Sequence, residues 1–354
     1  MTTRHRMLAI LVVAVLGVAA CDDGGAASSA PASVEPSAPA SAEASPSAPA
    51  QEEVELTLAH SYQDAQPQHA CGAQVIADEV AAADVGLTIE IFGASELGGD
   101  ADRIELVASG DIDLDIQGAS ALSALYAPMS VVDGAFVFDD ADHLYRFFTD
   151  PASDPLKDGF KEATGVTVLG AWSAGARQFT ADVPIRTPDD LQGLRMRFPP
   201  SPQFLMNAAA MGANPVEVAF EELYLALQQG TVDGQENPIT NIAANNLFEV
   251  QDVISLSSHQ LNSNLVVIGP VWDELSAEQQ AALSAAVDKA MLEVPACVET
   301  FEAETLQAWR DGSVIEIVDD VDIEAFQTKA EAYLLENFSD EQVPVLEAIR
   351  SLAD

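Results

Sequence analysis

The stretch from residue 193 to residue 238 reads Gly-Leu-Arg-Met-Arg-Phe-Pro at 193–199, Gly-Ala-Asn-Pro at 212–215, and Phe-Glu-Glu-Leu-Tyr-Leu-Ala-Leu-Gln-Gln-Gly-Thr-Val-Asp-Gly-Gln-Glu-Asn-Pro at 220–238. An apolar strand over Leu194–Phe198 carries Arg197 at its end, a helix follows, and a Gly-rich loop closes on Asn237. Phe220, Leu223, Tyr224 and Leu227 recur at helical spacing, and Gly230 ends that helix. The chain has 57 acidic residues against 14 basic ones. In so acidic a protein, an arginine kept at the end of an apolar strand needs an anionic partner. Spacing alone leaves two candidates, a structural carboxylate and a ligand.

Outward from this stretch, short apolar runs alternate with helical ones. Val54–Ala59 and Leu87–Phe92 read as strands, His69–Ala83 as a helix, and residues 93–99 as a Gly-rich loop. Ile104–Ser109 reads as a helix ending near Gly110, Ile112–Ile116 as a strand, and Val166–Leu169 as another. Thr187-Pro188-Asp189-Asp190 has the chemistry of a helix start, with a hydroxyl cap, proline in the first turn and acids at the positive dipole end. That helix stops at Gly193, and the one starting at Ser201-Pro202 ends at Gly212. This alternation argues for an α/β fold with mainly parallel strands. Ser276-Ala277-Glu278-Gln279 is a capping box. The helix behind it can run from Ala277 to near Trp309 with Pro295 inside, roughly 45 Å at 1.5 Å per residue.

The N-terminus reads as a targeting segment. Arg4 and Arg6 precede the apolar run Leu8–Val18, which is too short for a comfortable membrane span. It ends Val18-Ala19-Ala20-Cys21, a lipobox-like pattern, so residues 1–21 are expected to be a lipoprotein signal peptide with Cys21 as the lipidated residue. Residues 22–52, nearly all Ala, Ser, Pro, Gly and Glu, are expected to be a disordered tether. The remaining chain, about 300 residues, is large for one core and suggests two lobes. The acidic balance argues against nucleic acid or an anionic lipid surface as partner, since both need clustered Lys and Arg. In an oxidising compartment Cys71 and Cys297 either form one disulfide or stay as two buried thiols, and the residues leave both open.

Carboxylate recognition is the leading chemistry. Arginine's planar fork of N–H donors matches a carboxylate in two parallel bonds, and ligands of open α/β sheets bind beyond the carboxyl ends of strands. Arg197, Asn237 after the strand-like run Thr231–Asp233, and Arg177 after Val166–Gly170 would place three donors at three strand ends. Trp172, Phe198 and Phe220 are candidate apolar walls. A weaker reading is a hydrolase. Ala171-Trp172-Ser173-Ala174-Gly175 loosely resembles a nucleophile elbow, with His259 downstream. It departs from that pattern with Ala in the first position, no helix-forming run behind it, and Arg177 crowding the serine. His60, His69, His143 and His259 show no paired spacing on one helix, so no metal site is expected, and no Walker loop or Rossmann glycine fingerprint suggests a cofactor.

The chain resembles the DctP-type solute-binding proteins of tripartite ATP-independent periplasmic (TRAP) transporters across most of residues 53–350. The resemblance rests on Leu97-Gly98 with Gly110–Asp113; Gly175-Ala176-Arg177; the run from Thr187 to Arg197; Gly212-Ala213-Asn214-Pro215; and above all the run from Leu223 to Pro238. It implies a two-lobed periplasmic-binding-protein-like α/β fold with a ligand cleft and a long bridging helix. Lobe I would be 53–174 plus 263–302, and lobe II 175–262 plus 303–354. It further implies that Arg197 pairs with a ligand carboxylate. Arg177, Phe220 and Asn237 would occupy secondary contact positions, and His60, Tyr62 and the region around Gln117 would face the cleft. Both Cys71 and Cys297 would fall in lobe I, which favours a disulfide between them. The implied role is not enzymatic. The protein would be exported and lipid-anchored at the outer face of the cytoplasmic membrane, capturing a small organic acid and delivering it to TRAP membrane permease subunits driven by a sodium gradient. Presentation of a ligand to a membrane sensor is the alternative output.

Overall fold

The computed structural model describes residues 53–353; the expected signal peptide with Cys21 and the tether at 22–52 lie outside them. The strands are β1 Val54–His60, β2 Leu87–Phe92, β3 Leu114–Gln117, β4 Thr167–Ala181, β5 Arg195–Phe198, β6 Asn214–Glu217, β7 Gly234–Pro238, β8 Val253–Ile268 and β9 Glu316–Val318. The α-helices are α1 Gln74–Ala82, α2 Asp100–Ser109, α3 Ala119–Leu122, α4 Ala141–Thr149, α5 Asp154–Thr164, α6 Pro202–Met211, α7 Leu223–Gln228, α8 Ile239–Ala244, α9 Ala277–Gly312, α10 Ile323–Asn337 and α11 Val343–Arg350.

All nine strands join one sheet in the order β2-β1-β3-β8-β4-β7-β5-β6, with β9 on β8. The fold is two-lobed α/β. β1, β2 and β3 pair in parallel on one side, and β5, β6 and β7 do so on the other. The long strands β4 and β8 run antiparallel through both. Their outer stretch, Thr167–Ser173 with Ile268–Ser263, continues into β3, and Arg177–Ala181 continues into β7. The β4–β8 ladder shifts register between Ser173 and Ala176 and again between Arg177 and Phe179, and Gly175 there takes φ +98°, a conformation that favours glycine.

Helix termini follow their local chemistry. α2 starts with Asp100 and Asp102 in its first turn and ends on Gly110 in the left-handed conformation, as dipole and C-cap arguments require. α9 opens on the full Ser276/Gln279 capping box and runs 36 residues, about 54 Å. Leu283, Val287, Met291, Val294 and Val298 form its buried stripe, which packs the helix on β4 and α1. Cys71, in the π-helical turn Gln68–Ala73 that leads into α1, is disulfide-bonded to Cys297 of α9.

Several sequence expectations need correction. The expected strand Val166–Leu169 is only the start of β4. Its continuation is rich in Gly and Ala and reads as loop, but pairing with β8, joined from Arg177 onward by β7, makes it a strand. Arg177 therefore lies within a strand rather than beyond its end. Thr231–Asp233 is not a strand; the ladder begins at Gly234, and Asn237 sits inside β7. The start at Thr187 forms a capped 3-10 turn, Pro188–Leu191, instead of an α-helix.

Candidate functional site

A cavity of about 530 Å³ opens between the two halves of the sheet, within the range of small-ligand pockets. Its lining comes from the loop after β1 (Ser61, Tyr62), the start of α2 (Asp100), the end of β3 (Gln117), β4 (Arg177), β5 (Arg197), the loop after β5 (Ser201), the turn at Phe220–Glu222, β7 (Asn237), and β8 (Asn262, Asn264). Side chains of the N-terminal segment reach over to the 219–244 segment. Gln66 Nε2 donates to Asn241 Oδ1 at 2.9 Å, Gln63 Nε2 to the Ala244 carbonyl at 3.1 Å, and Ser95 Oγ to Glu221 Oε1 at 3.0 Å.

Strand alternation sends Met196 and Phe198 into the core, with Arg197 on the opposite face. Arg197 is 1% exposed. Its Nε donates to the Val218 carbonyl at 2.8 Å, and its Nη1 has no hydrogen-bond partner. No ion pair engages it among the described residues. Burial lowers its pKa to about 10, with the Glu236 charge opposing that shift, so the guanidinium stays protonated at neutral pH. A buried, charged donor without a partner is costly, and a carboxylate in the cavity would relieve that cost.

Arg177 shares the cavity but is already committed. Its Nε and Nη2 both meet the Glu236 carboxylate, Nη1 meets Asn262 Oδ1, and Nη2 also reaches Asn237 Oδ1 at 3.2 Å. Its guanidinium lies 4.8 Å over the Phe204 ring. Against the desolvation of burial, the Arg177 charge holds Glu236 below the usual carboxylate range. His259 Nε2 lies 3.3 Å from Glu236, and the imidazole stacks on Phe179. Its own pKa is lowered by burial, with Glu236 opposing.

The remaining expected contacts divide. Tyr62, Gln117, Phe220 and Asn237 line the cavity. Gln117 is internally satisfied, since Nε2 donates to Asp115 and to the Asp100 carbonyl while Oε1 accepts from Gly118. Two expected contacts are corrected. Trp172 is 1% exposed and is not in the cavity wall; its indole and Val294 close on Gly72 beneath α9. His60 is fully buried one layer behind the cavity. Its Nδ1 accepts the Tyr62 N–H at 3.1 Å, so its Nε2 carries the proton toward His69 Nδ1, also at 3.1 Å. Burial, then the charge of His69, lower its pKa to about 3. His60 thus holds Tyr62 instead of touching a ligand. Phe198 is likewise a core residue.

The nucleophile-elbow reading fails on geometry. Ser173 lies mid-strand with its Oγ accepting from the Gly175 N–H, and the ring nitrogens of His259 meet Ser257 and Glu236. Sequence reasoning missed Ser201, Glu221, Asn262 and Asn264. The asparagines sit in a polar run, His259–Asn264, that the structure places inside β8. The amides recurring at Gln260, Asn262 and Asn264 were the available signal.

Residues 58–341 match the model of the DctP family, described as bacterial extracellular solute-binding protein, family 7. The chain is 33% identical, over 80% of its length, to the uncharacterized protein y4mM of Sinorhizobium fredii, and spans about half (52%) of that relative. It is also 33% identical to the 2,3-diketo-L-gulonate-binding periplasmic protein YiaO of Escherichia coli, over 68% of this chain and 73% of that one. A TRAP periplasmic solute-binding protein from Roseobacter denitrificans, crystallised with bound 3-deoxy-D-manno-oct-2-ulosonic acid, superposes with a TM-score of 0.78 at 28% identity. That superposition covers 85% of this chain and 100% of the other.

Proposed function

This chain belongs to family 7 of the bacterial extracellular solute-binding proteins, and from that premise we propose that it captures a small organic acid outside the cytoplasmic membrane and delivers it to a TRAP permease. The observation that carries this reading is Arg197: a buried guanidinium in the cavity with an unpaired Nη1. The ligand carboxylate docks on it, and residues from the other half of the cavity close over the rest. Differential affinity for the closed form then drives closure, with bending concentrated at the irregular β4–β8 ladder near Gly175 and the lobes divided as 53–174 plus 263–302 and 175–262 plus 303–354.

Among the described residues no helix is long and apolar enough to cross a membrane. Attachment through lipidated Cys21 and the tether would hold the binding domain near the permease and raise its effective concentration there. A sodium gradient would drive the permease. A thermal-shift screen of the purified protein against organic acids tests the capture step, because a bound ligand raises apparent stability by mass action. At least one carboxylate should raise Tm in a saturable way. A flat response across mono-, di-, keto- and hydroxy-acids would overturn the proposal.

A further inference from the structure

We propose that the cavity selects a monocarboxylate bearing several hydroxyl groups, and that Glu221 together with Asp100 turns away ligands with a second carboxylate. The inference rests on the carboxylate-capture reading above and narrows its ligand class.

Of the two arginines in the cavity wall, Arg177 is neutralised by Glu236, so Arg197 alone offers an uncompensated positive charge. Arg103, next to the wall, is tied to Asp115 and Asp100. Asp100 and Glu221 both line the cavity and lie close enough to act electrostatically on Arg197. Glu221 Oε1 is fixed by Ser95 Oγ, whereas Oε2 has no protein partner. Asp100 Oδ1 accepts from Ser61 and Arg103, whereas Oδ2 accepts from no protein group. A second ligand carboxylate would meet these oxygens with no cation left to pair with it.

Independently of charge, several buried polar atoms of residues lining the cavity lack partners among the described residues. Asn264 is 1% exposed. Its Nδ2 donates to Tyr62 Oη at 2.6 Å and to the Ser263 carbonyl, and its Oδ1 has no partner. Because Tyr62 Oη accepts that bond, its own O–H is available to the cavity. Ser201 occupies the N-cap of α6, where a serine ordinarily accepts a bond from the first turn, yet its buried Oγ makes no hydrogen bond. An alcohol both donates and accepts, so ligand hydroxyls can donate to the free oxygens of Asp100 and Glu221, accept from the Tyr62 hydroxyl and, where side-chain movement uncovers them, meet Asn264 Oδ1 and Ser201 Oγ. A carboxylate only accepts and leaves Asn264 Oδ1 unsatisfied; an alkyl chain satisfies none of these groups.

The test is calorimetric titration of the purified protein with matched six-carbon acids: a set of aldonates (D-gluconate, D-galactonate, D-mannonate, L-gulonate), the aldarates D-glucarate and galactarate, D-glucosaminate, and hexanoate, with succinate added. At least one aldonate should bind at least about tenfold more tightly than either aldarate, succinate or hexanoate, the scale of one unpaired charge or hydrogen-bonding group. Glu221→Gln, a change at an exposed position, should narrow the aldonate-to-aldarate ratio several-fold with Tm unchanged. A dicarboxylate or hexanoate binding as tightly as the best aldonate would overturn the inference and leave carboxylate capture standing. Tightest binding of D-glucosaminate, or an unaltered ratio in Glu221→Gln, would also overturn it. Failure of every acid to bind would overturn the capture reading itself.

Discussion

Arg177 and Arg197 face the same cavity in opposite electrostatic states. Glu236 takes up the charge of Arg177 through both carboxylate oxygens, while Arg197 gives Nε to the Val218 carbonyl and keeps Nη1 unpaired. Of the two, only Arg197 is left with a guanidinium nitrogen to offer an anion.

Arg197→Met should act in opposite directions on binding and stability. It removes the carboxylate partner, so titration of any bound acid should fall below detection, a loss of at least about 2–5 kcal/mol for a buried charged pair. It also removes an uncompensated buried cation from the unliganded protein, so the ligand-free Tm should stay level or rise by a few degrees. A marked fall in Tm would mean that Arg197 is a structural residue.

Glu236→Gln should be destabilising by about 3–5 kcal/mol, because Arg177 would remain buried without its counter-ion. The double variant Glu236→Gln with Arg177→Met should recover part of that loss, read as a chemical-denaturation cycle. Additive losses would show that the two residues do not form an energetic pair.

Cys71→Ser with Cys297→Ser opens a cross-link of 226 residues in sequence separation. Chain-entropy arguments assign such a loop about 5 kcal/mol. The double variant should show a lower denaturation midpoint with ligand affinity little changed, since neither cysteine lines the cavity.

Glu302, on α9 beside Gly175, gives a pH signature. Burial pushes its carboxyl from 4.5 up to about 8, and Oε1 has no partner. The folded state therefore binds the proton more tightly than the unfolded chain. This contribution is fully present below about pH 4.5 and is lost progressively as pH rises toward 8. Glu302→Gln should flatten that part of the stability profile, measured as Tm against pH. An unchanged profile would show that Glu302 titrates normally.

Much of the fold was readable where local chemistry and tertiary need agree. β1, β2, β5, α6 and the capped start of α9 follow from apolar runs, Gly stops and the capping box. β4 and β8 were not readable, for a shared reason. Their middles are Gly-Ala-rich or polar, with weak strand preference of their own, and they become strands because they pair with each other while β3 and β7 hold their ends. The site divided in the same way. Arg197 and Asn237 stand in the legible stretch 193–238, whereas Arg177 lies in β4. Asn264 and Ser201 are ordinary polar residues until burial strips them of water, and Trp172 was misplaced because nothing in a strand's sequence says which layer an aromatic will join.

The central position of β8 has a consequence for biosynthesis. Without residues 253–268, the ladder divides into β2-β1-β3 and β4-β7-β5-β6, each with a raw inner edge able to pair with a neighbouring chain. The strand that bridges them, β8, lies about three quarters of the way along the polypeptide, so a chain lacking it would carry two open half-sheets. A fragment ending before Val253 should therefore give poor soluble yield.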